Sequence, residues 1–227
     1  MTVLPAGIRA VFFDAVGTVL HPVPGAPVVY ARAAGRYGLD PAGLLDRLRA
    51  SYLAEEDIDR RAGWATSEER EIARWRRIVR DTLPGAPPEC FDELYQHFAR
   101  PEAWAVPPDA ALTFAALQER GLVLGLASNY DARLEAVLAG RPELDLLKRH
   151  VVISSRVGVR KPAAAFFERV AAAAGCPARL VAYVGDDLGN DFQGATAAGM
   201  HAVLLAPAGR HPEVKGPRVA GLGELVG

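Results

Sequence analysis

Val11-Phe12-Phe13-Asp14-Ala15-Val16-Gly17-Thr18-Val19-Leu20 decides the fold of this chain. The unbroken apolar run before Asp14 reads as a strand, about 9 to 14, covered on both faces. An aspartate follows it directly, and a Gly-Thr turn comes behind. A carboxylate at the C-terminal end of a strand lies where open α/β sheets build their sites, and there it can act as a covalent nucleophile. The plainer alternative is a turn or cap aspartate. The apolar residues ahead of it and Gly17-Thr18 behind it favour the first reading.

Outward from this stretch the pattern changes twice. From Ala26 to Arg100 only helical periodicity appears. Leu44, Leu45, Leu48 and Tyr52 share one helix face, Ile72, Trp75, Val79 and Leu83 a second, and Phe91, Leu94, Tyr95 and Phe98 mark a third. Thr66 with Glu69 reads as a capping-box start for the second of these helices. From Pro107 helices and strands alternate: helix 109–120, strand 122–127, helix 131–139, strand 151–155, helix 162–174, strand 180–185, helix 190–198 and strand 202–206. The tail after Pro207 reads as loop with at most a weak final helix. Alternation of this kind predicts an α/β chain with a Rossmann-like, doubly wound parallel sheet. The all-helical stretch is then an insertion after the first strand. Trp64, Trp75 and Trp104 are assigned to packing by default, although Trp64, in a loop between two helices, is also a candidate to face the site.

Three further signals close later strands. Ser128-Asn129 ends strand 122–127, where a hydroxyl and an amide can donate to an anion; a helix cap is the alternative. Arg160-Lys161-Pro162 stands between strand 151–155 and an amphipathic helix, with Pro162 read into the first helical turn. Val184-Gly185-Asp186-Asp187-Leu188-Gly189-Asn190-Asp191 puts three carboxylates close behind strand 180–185. These repel one another unless a cation compensates, and hard oxygen ligands suit Mg²⁺.

Four such signals in this order resemble the motifs of the haloacid dehalogenase superfamily. Ala127-Ser128-Asn129-Tyr130-Asp131-Ala132-Arg133-Leu134 is most similar to the branch of haloacid dehalogenase-like domain proteins with small helical caps. The resemblance covers 8–20 and about 107–206. It implies a core of residues 1–22 and 102–227 and a helical cap of residues 23–101. It implies Asp14 as nucleophile, Ser128 and Lys161 as catalytic partners, and Asn129 and Thr18 as substrate-binding groups. It implies Mg²⁺ held by Asp14, the Val16 carbonyl and Asp186, with Asp187 and Asp191 as further ligands or supporting groups. The substrate class implied is a small phosphorylated molecule.

One position departs from the pattern. Phosphatases of the superfamily carry an aspartate two residues after the nucleophile, whose carbonyl binds metal and whose carboxyl protonates the leaving group. Here it is Val16, which keeps the carbonyl and loses the carboxyl. General acid-base help is typically worth ~10²–10⁴-fold. The first reading is therefore a Mg²⁺-dependent phosphatase, weak or selective for activated esters. The second is a binding or regulatory protein on the same fold. Cleavage of a carbon–halogen bond is disfavoured by the acidic fourth motif. Carbon–phosphorus cleavage needs a cap lysine for a Schiff base, and 26–100 contains no lysine.

Composition removes other classes. With 26 basic and 27 acidic residues, a net charge of -1 gives no electrostatic footprint for nucleic acid or an anionic membrane. Cys90 and Cys176 stand far apart and are read as thiols in a reducing compartment. The five histidines show no metal-ligand pairing. No signal peptide and no bilayer-spanning run is expected. A soluble cytoplasmic protein, monomer or homodimer, is the expectation.

Overall fold

The computed structural model describes residues 3–207 and 209–227; Met1, Thr2 and Ala208, all within the expected core, lie outside the described residues. The chain begins with β1 (Ala10–Phe13) and β2 (His21–Pro22). It continues through α1 (Ala26–Arg36), α2 (Leu44–Arg61), α3 (Glu68–Thr82) and α4 (Pro88–His97). Then come β3 (Trp104–Ala105), α5 (Ala110–Glu119), β4 (Val123–Ser128), α6 (Arg133–Ala139), β5 (Val151–Ile153), α7 (Ser154–Val157) and α8 (Ala164–Ala174). The remaining elements are β6 (Val181–Gly185), α9 (Gly194–Ala197), β7 (His201–Leu205) and β8 (Arg218–Val219).

The six-stranded sheet has the order β5-β4-β1-β6-β7-β8 and is parallel throughout. Phe13 pairs in register with Leu126 on one side and Val184 on the other, so β1 is central. Its side chains alternate between two cores. Val11 and Phe13 join the layer of α5 and α6, with Phe114 and Leu134, while Ala10 and Phe12 join that of α8, with Phe166 and Val170. Burial on both faces is why β1 reads as an unbroken apolar run. The chain winds outward from β1 through β4 and β5, then returns to β6 and winds the other way. The carboxyl ends of β1, β4 and β6 therefore face the crevice where such sheets bind ligands.

The helical stretch has its own core, built from Val29, Tyr30, Leu48, Ile78, Leu83, Phe91 and Leu94 among others. It departs from expectation in detail. Helix α1 carried no periodic signal because its buried face is partly alanine, at Ala33 and Ala34. Leu45 is exposed, whereas Leu44 and Leu48 are buried. The N-cap of α3 is Ser67, which accepts from the Arg70 amide at 3.2 Å. Thr66 is drawn off by the rest of the fold, its amide donating to the Gly158 carbonyl at 3.1 Å and its hydroxyl to Glu71 at 2.8 Å.

Three other boundaries moved. Strand β5 stops at Ile153, because Ser154 turns to exchange hydrogen bonds with the Tyr130 backbone. Residues 188–193 form a π-helical turn ahead of a short α9. The tail supplies β8 and buries Leu222 and Leu225; a two-residue strand is too short to leave a period.

Charged groups bind the helical stretch to the sheet. Four guanidiniums (Arg70, Arg74, Arg77, Arg160) meet three carboxylates (Glu55, Asp59, Glu71) in a largely buried cluster. Asp59 alone faces Arg70, Arg74 and Arg160. Removing one partner of a buried pair strands the other charge. Asp59→Asn should therefore lower stability by about 3–5 kcal/mol in denaturant unfolding. A loss under about 1 kcal/mol would show that water already screens the cluster.

Candidate active site

Asp14 continues β1 by one residue, its amide donating to the Val184 carbonyl at 2.8 Å. Its side chain is buried at the sheet's carboxyl edge. Oδ1 accepts from Ser128 Oγ at 3.0 Å and from Lys161 Nζ at 2.6 Å. Oδ2 has no hydrogen-bond partner among the described residues. Both donors thus hold one oxygen and leave the other for chemistry.

Lys161 is 3% exposed. Its ammonium reaches three acceptors: Asp14, Asp191 Oδ1 at 2.6 Å and the Tyr183 hydroxyl at 3.1 Å. Burial by itself lowers the lysine's pKa, but Asp14 and Asp191 reverse this and hold it well above its ordinary value. The ammonium stays charged. Tyr183 donates its own hydrogen bond to the Ala127 carbonyl at 2.6 Å, which orients its lone pairs toward Lys161. Sequence reading missed Tyr183. As an inward residue of an apolar strand, it resembled core, and nothing local distinguishes a buried tyrosine with a partner from one without.

The Lys161–Pro162 peptide is cis, and α8 begins only at Ala164 with Ala163 as its N-cap. Pro162 is therefore not in the first helical turn. The backbone at Lys161 is held instead by Asn129, whose Oδ1 accepts from the Lys161 amide at 2.8 Å and whose Nδ2 donates to the Lys161 carbonyl at 3.1 Å. Asn129 lines the cavity beside Asp14 and clamps the lysine loop, with one of its two Nδ2 hydrogens left without a protein partner among the described residues.

The acidic loop divides into distinct roles. Asp186 is partly buried beside Asp14, and burial followed by the Asp14 charge pushes its pKa up to about 6. Asp191 is buried with both oxygens taken, Oδ1 by Lys161 and Oδ2 by the Asp187 amide at 3.0 Å. Burial raises its pKa, and Lys161 pulls it back. Asp187 is exposed and caps the π turn, accepting from the Gly189 and Asn190 amides at 2.8 Å each. It lies outside the carboxylate cluster. Asp14, Asp186 and Asp191 each offer an oxygen, all within 4.8 Å of one another. Two glycines make this approach possible. A Cβ on Gly17, whose φ is +94°, would collide with the Asp186 carboxylate, and one on Gly185 with that of Asp191.

Val16 is 37% exposed and lines the cavity, and no hydrogen bond from the described residues reaches its carbonyl. Thr18 goes elsewhere. The chain turns at Gly17, the Thr18 amide bonds back to Ala15, and the side chain is fully buried away from the cavity. Thr18 is thus not placed to meet a ligand there.

The cavity measures about 320 Å³ and runs from Asp14 and Asp186 to the helical stretch. Its far walls are aromatic: Tyr30, Tyr52, Trp75, Phe98, Trp104 and Tyr130. Trp75 and Trp104 thus line the site as well as pack, whereas Trp64 does not. Arg74, Arg133 and Arg160 also reach it, and no histidine among the described residues does. These wall residues were invisible as a site in the sequence, since helical periodicity marks a face but not the gap it closes.

The chain matches the haloacid dehalogenase-like hydrolase family over residues 8–199. Haloacid dehalogenase-like hydrolase domain-containing protein 3 from human is 31% identical over 225 residues, 92% of this chain and 86% of the relative. The mouse protein of that name is 35% identical over 142 residues, 58% of this chain and only 55% of the relative. Phosphoserine phosphatase from Thermus thermophilus is 31% identical over 67% of this chain and 64% of its own length. Among solved structures, a haloacid dehalogenase-type phosphatase from Thermococcus onnurineus aligns with TM-score 0.69 at 25% identity, covering 96% of both chains. L-2-haloacid dehalogenase from Xanthobacter autotrophicus aligns with TM-score 0.72 at 20% identity, over 96% of this chain and 97% of that one, which is a likeness of fold alone.

Proposed function

Since the chain belongs to the haloacid dehalogenase-like hydrolases, we propose that it is a Mg²⁺-dependent phosphatase acting on a small phosphorylated molecule, with residues 23–101 as its cap. One observation carries this reading: Asp14 keeps Oδ2 unpartnered toward a ligand-sized cavity while Ser128 and Lys161 hold Oδ1. The relative named as a phosphoserine phosphatase supports it.

In this reading Asp14 Oδ2 attacks phosphorus, the ester P–O bond breaks, and an aspartyl phosphate forms. The leaving group departs as its alkoxide or aryloxide. Water then attacks the phosphorus, the P–O bond to Asp14 breaks, and inorganic phosphate leaves with a proton from that water while the carboxylate is regenerated. Lys161 offsets phosphoryl charge, and Ser128 turns its proton toward a phosphoryl oxygen. Such transfer relies on positioning and electrostatics more than on proton movement, so a site without a carboxyl at Val16 still serves good leaving groups.

The donor set fits a hard divalent cation, because its free oxygens are carboxylate and carbonyl. Asp14, Asp186 and the Val16 carbonyl would hold Mg²⁺, with Asp191 fixing Lys161 rather than binding directly. When bound, the ion neutralises charge on the phosphoryl group.

Protonation tests this assignment. Asp186 holds its proton up to about pH 6, against an ordinary 3.8. Its stabilisation of the metal-free protein is thus fully present below 3.8 and is lost as pH rises through about 6. Metal binding requires the ionised form, so Mg²⁺ should raise Tm clearly at about pH 7.5 and little at about pH 5. Asp186→Asn should remove the effect; an unchanged Mg²⁺ shift in that variant would refute the ligand set.

The direct test of function is Mg²⁺-dependent hydrolysis of aryl and acyl phosphates, with acid-quench trapping of phosphorylated Asp14. Absence of both turnover and trapped phosphoenzyme would favour the second reading, a binding protein. The observation behind that alternative is the Val16 isopropyl group lining the cavity.

A further inference from the structure

We propose that the cap side of the cavity is a binding site for a second anionic group, a carboxylate on the non-reacting end of the substrate, and that Arg74 recognises it. The proposal rests on the phosphatase reading only for the identity of the reacting end.

The argument starts from donor bookkeeping. Three guanidiniums line the cavity. Every nitrogen of Arg133 is engaged: Nε and Nη2 clasp Asp131 at 2.8 and 2.7 Å, and Nη1 donates to the Tyr95 carbonyl at 3.3 Å. Arg160 makes one side-chain hydrogen bond, to Glu71, but it also faces Asp59 at 3.4 Å and so meets two carboxylates, whereas Arg74 meets Asp59 alone. Arg74 makes one hydrogen bond, from Nη1 to Asp59. Its Nε and Nη2 have no protein partner among the described residues, although the residue is only 6% exposed. A guanidinium this buried normally has its donors satisfied. Arg74 lines the cavity, and its two unbonded nitrogens are not sealed from solvent, so the space a ligand fills is open to them.

Charge points the same way. The cluster holding Arg74 has four guanidiniums and three carboxylates, hence one unmatched positive charge. Burial and then the neighbouring Arg160 charge lower the pKa of Arg74, so the site resists its own cation. The charge of an incoming anion offsets both effects. Arginine presents a planar fork that matches a carboxylate.

The surroundings define the rest of the molecule. Tyr52 and Trp75 meet edge to face at 5.7 Å, and Trp104 meets Tyr130 at 6.2 Å. Such walls suit a flat apolar body. A cavity of about 320 Å³ is at the small end for ligand sites. The substrate class is therefore a compact phosphate ester with an apolar or aromatic middle and a carboxylate opposite the phosphate.

The test compares carboxyphenyl phosphates, 3- and 4-substituted, with their uncharged carboxamide counterparts. Within each protein the ratio of kcat/KM, acid over amide, cancels any general loss of activity. In the wild type the ratio should be at least about 10, the value of one charge-assisted hydrogen bond or more. It should fall to about one in Arg74→Gln and stay intermediate in Arg74→Lys. Calorimetry with the matching phosphonomethyl benzoates and benzamides, in Mg²⁺, reads the same preference without turnover. Preference in binding with no hydrolysis would sink the phosphatase reading and leave this site standing. Hydrolysis with a ratio near one would do the reverse. No binding of any phosphonate, or a preference surviving Arg74→Gln, would overturn the assignment. If Arg74→Gln does not fold, a wild-type ratio near one still overturns the proposal, and a ratio unchanged in Arg74→Lys overturns the assignment to Arg74.

Discussion

Asp14→Asn should abolish hydrolysis, with kcat reduced on the order of 10⁴-fold or more, as expected for loss of a covalent nucleophile. The reason is local. Asn has the same shape and can keep one oxygen toward Ser128 and Lys161, but its amide nitrogen replaces the unpartnered oxygen. Lys161 then loses half of its carboxylate compensation and leans on Asp191 alone. The variant should therefore stay folded while its lysine becomes more acidic. Kinetics on p-nitrophenyl phosphate with saturating Mg²⁺, with circular dichroism as the control for folding, measure both. Full activity in a folded Asp14→Asn protein would remove Asp14 from the mechanism.

Val16→Asp should act in the opposite direction, raising turnover of alkyl phosphates by ~10²–10⁴-fold, the range of general acid-base help. The residue lines the cavity two positions from Asp14 and is 37% exposed, so a carboxyl there would reach the ligand space without entering the core. The gain should be much smaller for p-nitrophenyl phosphate, whose leaving group needs no proton. There is a cost, because the new carboxylate joins Asp14 and Asp186, and Asp186 already resists ionisation. Stability without metal should fall as pH rises through about 6, where Asp186 ionises. A folded variant with unchanged alkyl-phosphate turnover would show that the missing acid is not what limits this site.

The legible and illegible parts of this protein separate along a physical line. The amino-acid sequence by itself determined the strand before Asp14, because a strand buried on both faces must be apolar throughout. It determined the alternation after Pro107, the helical character of 26–100 and three of the four strand-end motifs, since turns and periods are local properties; Lys161 instead follows α7, which intervenes after β5 ends at Ile153. It also determined that position 16 carries no carboxyl, which is a matter of which atoms are present. Helix α1 and strand β8 escaped because alanines and a two-residue strand leave no period.

Only the tertiary structure decided the roles within the motifs. Asp186, Asp187 and Asp191 are chemically identical in sequence. Packing left one beside Asp14, set one as a helix cap and locked one against Lys161. Asn129 became a clamp because the Lys161 loop lies against it, and Thr18 was lost to the interior when the chain turned at Gly17. Arg74 looks like any surface arginine of an amphipathic helix. Its significance comes from a count of partners, three carboxylates for four guanidiniums, drawn from segments up to 105 residues apart. Periodicity reports which face a side chain takes, whereas hydrogen-bond satisfaction depends on what the fold brings opposite it, and that is a property of the assembled chain alone.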